Sequence, residues 1–93
     1  MPRRKPKRDT VEREIVDSLR AIGATVAQLD AANVPDLLVG FRGENFLIEV
    51  KTGKYSKLQP GQSDWHQSWR GQVATVKTVE QALAILLSSD DTC

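Results

Sequence analysis

Apolar positions recur along this chain with two different periods, and the switches between them divide it into elements. Val11, Ile15, Leu19 and Ile22 follow helical spacing, with Val16 widening the stripe, which predicts a helix beginning at Asp9 or Thr10. Gly23 stands where a helix C-terminal cap belongs. Residues 24–29 form a short candidate strand, residues 30–33 a loop, and Pro35-Asp36-Leu37-Leu38-Val39-Gly40 is apolar enough for a buried strand. Arg42-Gly43-Glu44-Asn45 reads as a turn, since Gly and Asn tolerate positive φ. Phe46 to Lys51 then pairs back as an antiparallel hairpin. A polar loop over 52–61 leads to a short helix over Gln62–Trp69, which Gly71 ends, and a β-branched strand over Val73–Val76. Thr78 and Gln81 have capping-box spacing for a last helix, with Val79, Leu83 and Leu86 on one face and Ala82 and Ile85 widening it. The expected order is α-β-β-β-α-β-α, an α/β sandwich with a small mixed sheet flanked by helices.

Ninety-three residues allow a single domain with a thin core, so a partner or a second copy is a natural source of extra burial. The net charge of +1 hides an asymmetry. Arg3, Arg4, Lys5, Lys7 and Arg8 carry five positive charges in residues 1–8; the remaining eight Lys/Arg face twelve Asp/Glu, a net of −4. Residues 1–8 are expected to be a flexible basic arm, residues 9–87 the folded domain and residues 88–93 a frayed tail. A basic arm on a mildly acidic body suits an anionic partner such as nucleic acid. The one cysteine, Cys93, excludes an intrachain disulfide framework or Cys-rich zinc site and fits an intracellular, cytoplasmic setting. No apolar h-region follows the basic residues, and no apolar run approaches the ~20 residues needed to span a bilayer.

The candidate chemistry lies on the hairpin. Side chains alternate faces along a strand, so Phe46, Ile48 and Val50 point one way and Leu47, Glu49 and Lys51 the other. Asp36, the only acid of the preceding strand, stands at its start. An antiparallel hairpin brings the start of one strand beside the end of the next, so Asp36 is expected near Glu49 and Lys51. Two neighbouring carboxylates are costly unless neutralised, and a hard divalent cation does this well. Mg²⁺ and Mn²⁺ both accept carboxylate and carbonyl oxygens, and the Val50 backbone carbonyl offers a third oxygen. Such an ion lowers the pKa of a bound water and stabilises charge on a phosphate, while Lys51 orients or deprotonates the attacking water. The plain alternative is a Glu49–Lys51 salt bridge with Asp36 as a turn residue.

Val34-Pro35-Asp36-Leu37-Leu38-Val39-Gly40 followed by Phe46-Leu47-Ile48-Glu49-Val50-Lys51 resembles the PD-(D/E)xK nuclease superfamily, and within it the VRR-NUC branch, especially its small stand-alone members. Leu58-Gln59-Pro60-Gly61-Gln62 with Trp65-His66 resembles the branch's post-motif helix, Gly71 to Val76 is also similar, and Glu12-Arg13-Glu14-Ile15-Val16 resembles the first helix of archaeal Holliday-junction resolvases. The likeness spans roughly residues 10–87. It implies a restriction-endonuclease-like sandwich. It implies Asp36 and Glu49 as metal-binding carboxylates, Lys51 as the catalytic lysine, Gln62 as a supporting glutamine and Glu12 as a helix acid that helps hold the metal. Glu14 is the other acid in that segment, but it lies away from the apolar stripe; Glu12 also has capping-box spacing from Asp9.

His66 lies one turn after Gln62 and is a candidate phosphate contact; Lys54, Lys57 and Arg70 are candidate DNA-backbone contacts, and Tyr55 is undecided. Trp65 and Trp69, four apart, suit a core or a dimer interface better than base stacking. The resemblance implies a structure-specific, metal-dependent DNA endonuclease, a homodimer cleaving four-way junctions in repair, recombination or phage DNA processing. A flap or nicking nuclease, a partner-targeted nuclease module and a non-catalytic DNA-binding module are the alternatives.

Overall fold

The computed structural model describes residues 10–51 and 60–88. The basic arm with Arg3, Arg4, Lys5, Lys7 and Arg8, the loop residues Lys54, Tyr55 and Lys57, and residues 89–93 lie outside the described residues. The elements are α1 (Thr10–Ala21), β1 (Thr25–Gln28), β2 (Leu37–Phe41), β3 (Glu44–Val50), α2 (Pro60–Ser68), β4 (Val73–Val76) and α3 (Val79–Ser88), in the expected order.

Helix α1 buries Ile15, Val16 and Leu19, together with the acid Glu12. The amide of Gly23 donates to the Arg20 carbonyl at 3.0 Å and that of Ala24 to the Leu19 carbonyl at 3.1 Å, the paired bonds of a Schellman cap. Ile22 does not extend the apolar stripe as expected: it falls past the last helical residue and is 38% exposed.

The four strands form one sheet in the order β1-β2-β3-β4. The first three pair antiparallel; β3 and β4 are parallel, so the chain must cross over between them, and α2 lies on that crossover. The hairpin turn is tighter than the four residues expected. Only Arg42 and Gly43 separate the strands, at φ 53° and 82°, and Phe41 pairs with Glu44 and Gly40 with Asn45. Two-residue connections want positive φ at both positions because that twist matches the flanking strands. Gly43 adopts it freely. Arg42 does so at a steric cost, with its guanidinium 4.8 Å from the Phe41 ring centroid.

Helix α2 begins at Pro60, two residues before the expected start, because proline is well suited to a first helical turn where its missing N–H is not needed. Its last residue is Ser68, one short of the expected Trp69, whose amide still reaches the Trp65 carbonyl at 3.0 Å. Thr78 caps α3 by accepting from the Gln81 amide at 3.1 Å, and Gln81 Oε1 accepts in return from the Lys77 amide at 2.6 Å. The helix runs through Ser88, which was expected to open the tail.

Helices α1 and α3 pack on each other, α1 also on β1 and α3 on β4. Ile15, Leu19, Leu37, Val39, Ile48 and Leu86 are fully buried in one core. Burying each such side chain contributes roughly 1.5–3 kcal/mol. The opposite face of β3 carries Leu47 and Glu49, and α2 reaches it through Gln62. None of the α2 side chains is buried, so α2 borders the sheet rather than sealing it.

Candidate active site

The site forms where β2 begins and β3 ends. Leu37 pairs with Ile48, so Asp36, one residue before β2, stands level with the last residues of β3. Two backbone bonds fix it there. Its carbonyl accepts from the Leu29 amide at 2.8 Å, and its Oδ2 accepts from the Val50 amide at 2.9 Å. A strand residue points its N–H and C=O to the same edge, so the Val50 carbonyl also faces Asp36.

Glu49 is 2% exposed. Its Oε2 accepts from Gln62 Nε2 at 2.9 Å and lies 3.9 Å from Lys51 Nζ. Its Oε1 is buried with no hydrogen-bond partner. Burial, next the charge of Asp36, and also a hydrogen bond that the protonated carboxyl gives Asp36 push the Glu49 carboxyl up from its ordinary 4.5 to about 7, against the opposing pull of Lys51 and the Gln62 hydrogen bond. The Lys51 amide is tied to the Val76 carbonyl at 2.9 Å, and its side chain is 12% exposed. The structure therefore brings Asp36, Glu49, Lys51 and Gln62 together from three segments of the chain: the start of β2, the end of β3 and α2.

Glu12 is 5% exposed, whereas Glu14 is exposed, so burial separates the two candidate helix acids. Glu12 Oε2 accepts from Gln28 Nε2 at 3.2 Å. Among the described residues no three His, Cys, Asp or Glu side chains stand close enough to cage a metal, so Glu12 is set apart from the Asp36–Glu49 pair. The sequence reading missed Gln28. The register Gln28↔Leu37 puts it at the same sheet end as Asp36, and the antiparallel pattern was the available signal.

His66 is half-buried and its Nε2 is enclosed without a hydrogen-bond partner; burial and then the Lys51 charge lower its pKa. It packs edge-on to Trp65 at 5.9 Å. Trp65 and Trp69 stack at 4.8 Å and 15°, with Trp69 43% exposed. Arg70 is exposed beside them. Leu38, Asn45, Leu47, Trp69, Gly71 and Gln72 line an open groove of about 540 Å³ on the Glu49 side of the sheet.

The residues fit a hard divalent cation. A buried carboxylate oxygen without a partner, beside a second carboxylate and a carbonyl, is an oxygen set that such an ion satisfies. Asp36, Glu49 and the Val50 carbonyl would hold it, leaving positions for water and phosphate.

No family model and no curated protein matches the chain. A solved structure titled VRR_NUC domain is similar to it, with a TM-score of 0.71 and 27% identity over 83% of this chain and 90% of that one. The small α/β architecture with a mixed four-stranded sheet and three helices is that of a nuclease domain of the PD-(D/E)xK type. The likeness in fold and in sequence supports membership of the VRR-NUC family. No helix of the described residues is long and apolar enough to cross a membrane.

Proposed function

We propose that this protein is a Mg²⁺- or Mn²⁺-dependent endonuclease that hydrolyses DNA phosphodiester bonds, acting as a homodimer on branched DNA such as four-way junctions. The observation that carries the reading is Glu49: a carboxylate buried beside a second carboxylate and a lysine, with one oxygen left unpartnered. A structural salt bridge explains the Lys51 contact but not the orphaned oxygen or the neighbouring acid.

A divalent cation held by Asp36, Glu49 and the Val50 carbonyl would lower the pKa of a water and offset charge on the scissile phosphate. Gln62 holds Glu49 Oε2 by its amide, and the Val50 amide holds Asp36, so both carboxylates are oriented before substrate arrives. Lys51, largely covered, keeps its ammonium within reach of Glu49 and of a phosphate placed over the pair, where it orients the attacking water and offsets phosphate charge. Arg70, His66 and, outside the described residues, Lys54, Lys57 and the basic arm are the proposed backbone contacts. Backbone contacts supply affinity without base sequence, which suits recognition of DNA shape.

The groove with Leu38 and Trp69 exposed supports a second copy as its cover, since a thin core of this size gains from further burial. A two-fold dimer would offer two sites to the two symmetric strands of a junction. Cleavage of labelled four-way junction, flap, duplex and single-stranded DNA with Mg²⁺, Mn²⁺ or EDTA tests the reading. Paired symmetric cuts in the junction are expected. Preference for flaps would keep the nuclease and discard the junction, and no cutting with either metal would favour a binding module.

A further inference from the structure

We propose that Gln28 is a positioning residue for Glu12, holding that carboxylate ready for the metal site; this rests on the metal-dependent reading above. Glu12 is buried on the first turn of α1, and a buried carboxylate needs donors. Gln28 Nε2 supplies one at 3.2 Å, from a different element sixteen residues away. The position of Gln28 gives this bond its meaning. It is the last residue of β1, pairs with Leu37, and precedes Leu29, whose amide holds the Asp36 carbonyl at 2.8 Å. The same two-residue stretch thus grips both acids: Gln28 through a side chain on Glu12, Leu29 through the backbone on Asp36.

The bond also limits where Glu12 can go. Oε2 is held at the β1 end by a glutamine that is itself exposed, while Glu12 stays buried among the apolar residues of α1. Glu12 does not close a three-acid cage with Asp36 and Glu49 in this structure, so its approach to a bound ion runs through water or a small shift. An oriented acid makes that approach less costly than a free one, which is the role of groups that hold metal-facing carboxylates. A purely structural role would satisfy the buried acid and leave metal affinity alone.

The test is Mn²⁺ binding to the full chain without DNA, by isothermal titration and by the paramagnetic resonance signal of free Mn²⁺. It uses wild type, Gln28→Met, Glu12→Gln and Asp36→Asn. Gln28→Met keeps the side-chain volume and removes the donor; Gln28→Ala serves as a second variant, and circular dichroism and melting temperature report folding. The expected result is a roughly tenfold rise in the Mn²⁺ dissociation constant for Gln28→Met, the low end for such partners, with cleavage recovered at raised metal and KM for DNA unmoved. Unchanged Mn²⁺ affinity in folded Gln28→Met and Gln28→Ala, while Glu12→Gln weakens it, would overturn the role of Gln28. Unchanged affinity in Glu12→Gln with loss in Asp36→Asn would remove Glu12 from the site and this proposal with it, leaving the nuclease reading intact.

Discussion

Two neighbouring residues of β3 are equally buried on opposite faces of the strand and are chemically opposite. Ile48 is wholly enclosed by α1, α3 and β2, and Glu49, the next residue, is 2% exposed on the other side. Burial of Ile48 stabilises the fold through apolar area. Burial of Glu49 opposes it, because an anion loses water and gains one amide hydrogen bond, a lysine at 3.9 Å and a second acid. One face of the strand builds the domain, and the other holds a charge at a cost that a bound cation would offset.

Four changes break or sharpen that contrast. The largest stability loss is expected from Ile48→Ala, about 2–5 kcal/mol in denaturant melts, since it opens a cavity in the packed face. On the polar face, Gln62→Leu should weaken Mn²⁺ binding about 10–100-fold while changing the fold little, because Glu49 loses the donor that orients it; titration of Mn²⁺ into the variant measures this.

The third change is read in pH. Glu49 takes up its proton at about pH 7 when folded and near 4.5 when unfolded, so between these values the folded chain binds more protons. Stability of the metal-free protein should therefore fall as pH rises from about 4.5 through about 7. Glu49→Gln should remove that component, leaving the variant more stable than wild type at pH 8 by about 1–3 kcal/mol. Melts in EDTA across this range decide it, and an identical pH profile in the variant would contradict the proposed burial cost. The smallest effect belongs to Leu38→Ser, on the open groove and 41% exposed: within about 0.5 kcal/mol for the monomer, with a weakened dimer in sedimentation if the groove is the dimer contact.

Much of this arrangement was legible in the sequence because it follows from local periodicity. The alternation in Phe46 to Lys51 and the apolar run after Asp36 are enough to bring Asp36 beside Val50 and Glu49 once the strands pair antiparallel. Thr78 and Gln81 announced the start of α3, and Gly23 the end of α1. What escaped depends on contacts between distant segments or on turn geometry. Ile22 continues the helical spacing, yet the helix ends at Ala21 and the Schellman cap turns the chain at Gly23. The turn at Arg42 puts a non-glycine residue at positive φ because strand pairing, not local preference, sets the connection length. The grip of Gln28 on Glu12 joins a strand end to a helix start and carries no periodic signal. The family likeness suggested Gln62, whose bond to Glu49 joins α2 to β3.

The most direct test of the account is single-turnover cleavage of labelled branched DNA by wild type, Asp36→Asn and Lys51→Ala, in Mg²⁺ and in EDTA, with DNA binding followed separately in EDTA. The account predicts cutting by wild type in Mg²⁺ alone. Both variants should lose at least about 10²–10⁴ in rate, as expected for removing a positioned catalytic group, while still binding DNA. Full-rate cutting by either variant, or wild-type cutting that persists in EDTA, would contradict it.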